Sequence, residues 1–508
     1  MADARAGEAR LAPTVSYGER HDPTRELEGG DKIRHAEGEY LRLEGIGVNA
    51  LELTINGLKV DASGIDPNTT LLNFVRSRGL TGSKEGCAEG ECGACAVALL
   101  RPDVNGSRYE AVNACLCLVA SLSGAELLTV EGIGSSESPH PAQVALMQGG
   151  SQCGYCTPGF AVSLFCEYHR PERTNAINLE ALCGNLCRCT GYRPIAEGAL
   201  ALGLPTASAF TARLEQPAPP MLALEYEGNG RRLTRPSSLP DLFTTLEADE
   251  TVKLIAGGTD VLCEVNIRHA RFEHLVSLEG IPELQRLLWT DHALEIGAAV
   301  SISKLEAALG NHLPLLSELF PLYASRLIRN RATLGGNLVT ASPIGDSSPV
   351  LLALGASVKL ESARGTRTLP LEDFFTGFRK TALGTGEIVT AIIIPTPTAT
   401  HQRFYKIAKR GRDDISTVSV AIALEVKDDL IVQAKLGLGG VAATPARAFK
   451  TEAFLRGKPL ENSVMREAGA ILESEFTPLS DHRGSATYRS AMLAHTLERF
   501  IADLEVAA

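Results

Sequence analysis

The sequence predicts a multidomain α+β chain, on three observations. Its 508 residues exceed what one hydrophobic core spans at ~150 residues per domain. Of the 12 cysteines, all but Cys263 fall between Cys87 and Cys189. The apolar pattern also changes along the chain, from strand alternation near residue 51 to helical spacing after His140, then to alternating strands and helices from residue 222.

The bulk numbers exclude several classes. A formal charge of −11 without a long Lys/Arg block gives no electrostatic footprint for nucleic acid or an anionic membrane. The longest apolar runs, "CLCLVASL" and "VLLALGASV", fall short of the ~20 residues of a membrane span. Residues 1–47 mix both charge signs and lack an apolar leader core, so they read as a disordered or partner-draping extension rather than a secretory signal. Thiols concentrated in a large chain with no export signal point to metal ligation rather than disulfides, and to a cytoplasmic setting.

In "LELTINGLKV", Leu51, Leu53 and Ile55 share one face ahead of Asn56-Gly57, the dipeptide of type I′ hairpin turns. "NTTLLNFVRSRGL" offers Thr69 or Thr70 as an N-cap, Leu71, Leu72 and Val75 as an apolar stripe, and Gly79 as a stop. A hairpin, a helix and a cysteine loop predict a small β-grasp domain. From His140 to about Gly203 the pattern is helical, with Thr157-Pro158 as cap and first residue, then Leu164, Phe165 and Tyr168 at helical spacing. "GLPTASAFTARLEQPAPP" has no sustained period and reads as an exposed linker. Residues 222–400 alternate strands and helices. Beyond them, strands "STVSVAIALEV" and "LIVQAKLGLGGV" flank Asp428-Asp429, and helices close the chain.

Cys87, Cys92 and Cys95 show the Cys-x4-Cys-x2-Cys spacing of a plant-type [2Fe-2S] cluster awaiting a distant fourth ligand. Cys115 and Cys117 both qualify by spacing. A second group pairs Cys153 and Cys156 of "QCGYC" with Cys187 and Cys189 of "GNLCRC". Structural zinc is the competing reading, but Cys-x-Cys is not the usual zinc-ribbon spacing. Cys117, Cys166, Cys183 and Cys263 read as small buried hydrophobes.

Together, "EGCAEGECGAC", "NACL", "QCGYCTPG" and "GNLCRCTGYRPI" resemble the iron-sulfur part of the xanthine dehydrogenase family of molybdenum hydroxylases. "IRNRATLGGNLVTASPIGDSSPVLLALGA" resembles that family's flavin domain. The likeness runs from about residue 50 onward, in the order of the iron-sulfur/FAD subunit of split, bacterial-type members. It implies that Cys115 joins Cys87, Cys92 and Cys95 on one [2Fe-2S] cluster, and that Cys153, Cys156, Cys187 and Cys189 hold the other.

For FAD the resemblance implies a first segment of Leu254, Ile255, Ala256, Gly257, Gly258, Thr259, Asp260 and Val261, whose glycine turn suits backbone contact with a pyrophosphate. A second is Thr333, Leu334, Gly335, Gly336 and Asn337. Asp346, Val389 and Lys406 are further contacts, Tyr323 falls where relatives place an aromatic ring beside the flavin, and Asp414 lies near the nicotinamide site. The implied domains are the extension (1–47), a ferredoxin-like [2Fe-2S] domain (48–136), a helical [2Fe-2S] domain (137–203), a linker (204–221), an FAD-binding domain of the vanillyl-alcohol-oxidase type (222–400) and a small sheet-plus-helices domain (401–508). The roughly 100 residues after 404 leave no room for a molybdopterin domain. The resemblance therefore implies an oxidoreductase with a molybdopterin-binding large subunit as partner, in a dimer of heterodimers, and NAD⁺ as acceptor for the oxidation of hypoxanthine and xanthine to urate. An aldehyde or another N-heterocycle as substrate, or a non-catalytic metal-binding scaffold, are the alternatives.

Overall fold

Asn56 and Gly57 both take positive φ (53° and 79°) and close the antiparallel hairpin of Glu52–Ile55 and Leu58–Asp61, as the type I′ reading requires. The computed structural model describes residues 50–507, so the extension expected over 1–47 lies outside the described residues. The following helix, Leu71–Ser77, is capped by Thr70, whose side chain accepts from the Asn73 N–H. The hairpin joins a five-stranded sheet in the order Leu58–Asp61, Glu52–Ile55, Glu126–Leu128, Ala96–Asp103, Gly106–Asn113.

Both faces of this sheet are covered. Val97 and Leu99 of its inner strand pack with Leu71, Val75, Leu116 and, from beyond residue 222, Tyr226, Ile255 and Leu275. Ala96, Ala98 and Leu100 face the helical segment, against Phe160, Leu164 and Phe165. Such double burial explains why this strand is a continuous apolar run rather than an alternation. The central helix of the helical segment, Thr157–Tyr168, takes Cys156 as its N-cap residue with no side-chain cap bond. The expected cap Thr157 lies inside the first turn, its hydroxyl engaged by Ser151.

The expected exposed linker is partly docked. Ser208 caps a short helix, Ala209–Leu214, and Phe210 packs on the rings of Phe165 and His140. A lone aromatic carries no periodicity, so pattern alone missed it. Two sheets follow. Leu224–Gly228, Arg231–Arg235, His274–Ser277 and Val252–Ile255 form one, with parallel inner pairs. Leu287–Trp289, Ala293–Gly297, Ile388–Pro395, Ser357–Ser362 and Gly365–Pro370 form an antiparallel second. The last sheet contains the hairpin Val418–Lys427 and Leu430–Gly439, turned at positive-φ Asp428 and Asp429, and packs on Asn462–Glu475 and Ala486–Ala507. No helix among the described residues is long and apolar enough to cross a membrane.

Candidate functional site

The loop after the first helix folds back on itself, so that the Cys87 sulfur accepts backbone N–H groups of Glu89 at 3.5 Å and Cys92 at 3.4 Å. The Cys92 thiol donates to Cys87 and holds it down to about 5. Cys95 and Cys115 meet in the same way, a hydrogen bond between them pulling Cys95 down and pushing Cys115 up. The charge of Cys87 also acts on Cys95 and Cys115. Cys117 is fully buried; burial raises it, and its electrostatic neighbours are led by Arg331, Glu279 and Arg101. Spacing left Cys115 and Cys117 as rivals; the chain brings Cys115 to Cys95.

The second group repeats the pattern near the surface. Cys153 and Cys189 share a hydrogen bond, as do Cys156 and Cys187, with burial pushing Cys156 up to about 12. The Cys187 sulfur accepts the Thr190 N–H at 3.4 Å. Cys153 and Cys189 are exposed. Among the described residues no three His, Cys, Asp or Glu side chains converge as a single-ion site; each thiol group is two pairs, which is how two irons divide four thiolates. Of the other cysteines, Cys117 and Cys166 are buried as expected, whereas Cys183 and Cys263 are only partly so.

Between the two middle sheets lies a cavity of about 710 Å³. Of the residues expected to contact a flavin, Leu254, Ala256, Gly257, Gly258, Thr259, Asp260, Val261, Tyr323, Thr333, Gly335, Gly336, Asn337, Asp346 and Val389 line it. Ile255 and Leu334 instead turn into hydrophobic cores. Lys406 stands behind the wall: its ammonium donates to the Leu322 carbonyl at 2.7 Å and to Asp346 at 2.6 Å.

The cavity is shaped by close backbone approach. A Cβ on Gly257 would lie 1.7 Å from the Arg331 carbonyl oxygen, so the first glycine turn seats directly against the segment leading to the second. No protein acceptor among the described residues engages the backbone N–H groups of residues 257–260, which leaves four donors for an anionic ligand. Thr333 caps the helix Leu334–Thr340 by accepting the Gly336 N–H. Tyr323, 7% exposed, supplies a buried ring at the wall.

Several lining residues escaped the sequence. Glu89, Gly90 and Glu91, inside the first cysteine loop, form part of the wall. Their contact with residues over 160 positions away has no local signal. Asp414 lines the cavity, but its carboxylate accepts the N–H groups of Arg410 and Ile415. Its neighbour Asp413 also lines the cavity; burial, with Glu91 adding to it, raises Asp413 to about 6, and its Oδ2 has no protein partner among the described residues.

Two paired thiol groups and a glycine-walled cavity with open N–H donors define an iron-sulfur flavoprotein. Family models agree: a 2Fe-2S iron-sulfur cluster binding domain matches residues 53–120, a [2Fe-2S] binding domain 129–200, the FAD binding domain in molybdopterin dehydrogenase 226–397, and the CO dehydrogenase flavoprotein C-terminal domain 403–504. Xanthine dehydrogenase of Emericella nidulans is 31% identical over 90% of this chain and 39% of its own length; that of Drosophila pseudoobscura pseudoobscura is 33% identical over 86% and 38%. The chain thus spans about two fifths of these relatives. A Cu,Mo-CO dehydrogenase structure aligns over 54% of this chain and 98% of its own, with a TM-score of 0.51 and 31% identity. Quinoline 2-oxidoreductase of Pseudomonas putida 86 aligns over 53% and 94%, with a TM-score of 0.50 and 28% identity. The chain belongs to the molybdenum hydroxylase family, of which it is the iron-sulfur and FAD-binding portion.

Proposed function

We propose that this chain is the iron-sulfur/FAD electron-transfer subunit of a cytoplasmic xanthine dehydrogenase, working with a separate molybdopterin-binding subunit in a dimer of heterodimers. The complex oxidises hypoxanthine and xanthine to urate, with NAD⁺ as acceptor. The observation that carries the electron-transfer reading is that Glu89, Gly90 and Glu91 of the first cysteine loop wall the same cavity as the glycine turns. The purine reading is supported by the xanthine dehydrogenases that match most of this chain.

Cys87, Cys92, Cys95 and Cys115 hold one [2Fe-2S] cluster, and Cys153, Cys156, Cys187 and Cys189 the other. The turn at 256–261 and the segment Thr333–Asn337 bind FAD, with Tyr323 at its ring, Val389 on the facing strand, and Asp346 fixed from behind by Lys406. When bound, the clusters are one-electron carriers and the flavin a centre able to exchange both single electrons and a hydride. The chain's own residues set the geometry: the glycine turns offer N–H donors to phosphate, the paired thiols would take up iron by losing their protons, and Asp413 and Asp414 flank the side where a nicotinamide enters.

The test is a substrate panel on the native complex with NAD⁺, comparing xanthine and hypoxanthine with an aldehyde and a second N-heterocycle. The highest kcat/KM on xanthine is expected. A preference for the aldehyde or the other heterocycle would keep the module and overturn the purine assignment.

A further inference from the structure

Arg329 is fully buried, and its guanidinium bridges two parts of the chain that are about 150 residues apart in sequence. One amino group donates to the Tyr323 carbonyl at 2.9 Å and reaches the Ala324 carbonyl at 3.4 Å. The other is ion-paired with Glu180, which lies on the turn Leu179–Leu182 ahead of Cys187 and Cys189. Tyr323 and Ala324 line the cavity, and Ala324 is held at φ 42°, a left-handed conformation that costs a non-glycine residue energy unless its surroundings enforce it.

The seat is tight on the cysteine side as well. A Cβ on Gly184 would meet the Ser325 side chain at 2.4 Å, so the strand of chain leading to the second thiol group rests on the residue after Ala324. Arg326 takes the second Glu180 oxygen at 2.5 Å and Glu306 at 2.9 Å, but donates to no carbonyl of the cavity wall. The two arginines share Glu180 and, with Arg329 Nε 3.7 Å from it, Glu306, and only Arg329 donates to the wall carbonyls.

We propose that Glu180, acting through Arg329, is a positioning residue for the flavin: the segment that carries the second thiol group holds the backbone of Tyr323 and Ala324 in the shape the flavin ring requires. The proposal rests on the reading that this cavity holds FAD. With Glu180 in place the guanidinium is fixed between carboxylate and carbonyls. Without it, the buried cation keeps only the longer 3.7 Å approach of its Nε to Glu306, and Tyr323 and Ala324 lose the carboxylate that holds their clamp in place.

The test compares Glu180→Gln, Arg329→Lys and Arg326→Lys in the full chain with both clusters present, measuring FAD dissociation constant, flavin visible circular dichroism and the electron paramagnetic resonance of each cluster. Glu180→Gln and Arg329→Lys should weaken FAD at least ~10-fold and change the flavin dichroism, with both cluster signals intact. Arg326→Lys should stay within ~2-fold. Unchanged affinity and dichroism in Glu180→Gln, or an equal loss in Arg326→Lys, would overturn the relay. If Glu180→Gln does not fold, Arg329→Lys decides alone. An unmutated chain that retains no FAD would instead sink the flavin reading itself.

Discussion

The Lys406 ammonium lies 2.6 Å from Asp346 Oδ2, with the lysine side chain 2% and the aspartate 12% exposed. The other Asp346 oxygen accepts the Ser416 hydroxyl, so one carboxylate on the cavity wall is fixed from two sides. Lys406→Met strands that carboxylate without its cation. It should destabilise the chain by ~3–5 kcal/mol and lower flavin retention, as read from urea unfolding and from flavin per protein.

The Cys95–Cys115 pairing separates two residues that spacing could not. Cys115→Ser should abolish or reshape the first cluster's electron paramagnetic resonance signal and lower iron per chain. Cys117→Ser should leave that signal intact and cost stability alone, ~1–3 kcal/mol for a buried hydroxyl without a partner. The reverse pattern would exchange their roles.

Gly257 allows backbone to touch backbone where the two glycine-bearing walls of the cavity meet. Gly257→Ala, whose Cβ would fall 1.7 Å from the Arg331 oxygen, should cost ~1–3 kcal/mol of strain and strip the flavin while iron stays near about four atoms per chain. Equal flavin content in variant and parent would contradict the assignment of this turn.

His140 and His169 meet at 3.0 Å between their Nε2 atoms, inside a ring of Tyr109, Phe165, Tyr168 and Phe210. The His140 Nδ1 accepts the Ala142 N–H, so its Nε2 carries the proton that faces His169. Burial holds His140 at about 4 and His169 at about 3, below the ordinary value of 6.5. The unfolded chain then binds more protons between pH 6.5 and about 4, and stability present above 6.5 is lost as pH falls through that window, at up to ~1.4 kcal/mol per pH unit for each histidine. The double variant His140→Asn/His169→Phe should flatten the fall, checked by urea midpoints at successive pH values across that window.

Much of this was legible in the sequence because it rests on local rules. Asn56-Gly57 turns, Thr70, one of two candidate caps, caps its helix, and the cysteine spacing points to [2Fe-2S] ligation, whereas the glycine pairs point to FAD only through the family resemblance. What escaped is long-range. Strand and turn patterns cannot show that Glu89–Glu91 reach the cavity, that Phe210 docks among His140 and Phe165, or that Glu180 finds Arg329. Asp413 and Asp414 both line the cavity, and a pair of adjacent aspartates does not reveal in the sequence that Asp413 Oδ2 is the one buried without a partner among the described residues. Lys406 matched a flavin contact by resemblance, yet its length is spent on Asp346 and the Leu322 carbonyl.

The central claim is that two clusters and a flavin share one conducting chain whose molybdenum-side substrate is handled elsewhere. Its most direct test is anaerobic addition of NADH, then of xanthine, to the purified chain and to its native complex, followed by absorption and electron paramagnetic resonance. NADH is expected to bleach the flavin and reduce both clusters in the lone chain, whereas xanthine should do so only in the complex. Clusters that stay oxidised while NADH reduces the flavin, or xanthine that reduces the lone chain, would contradict it.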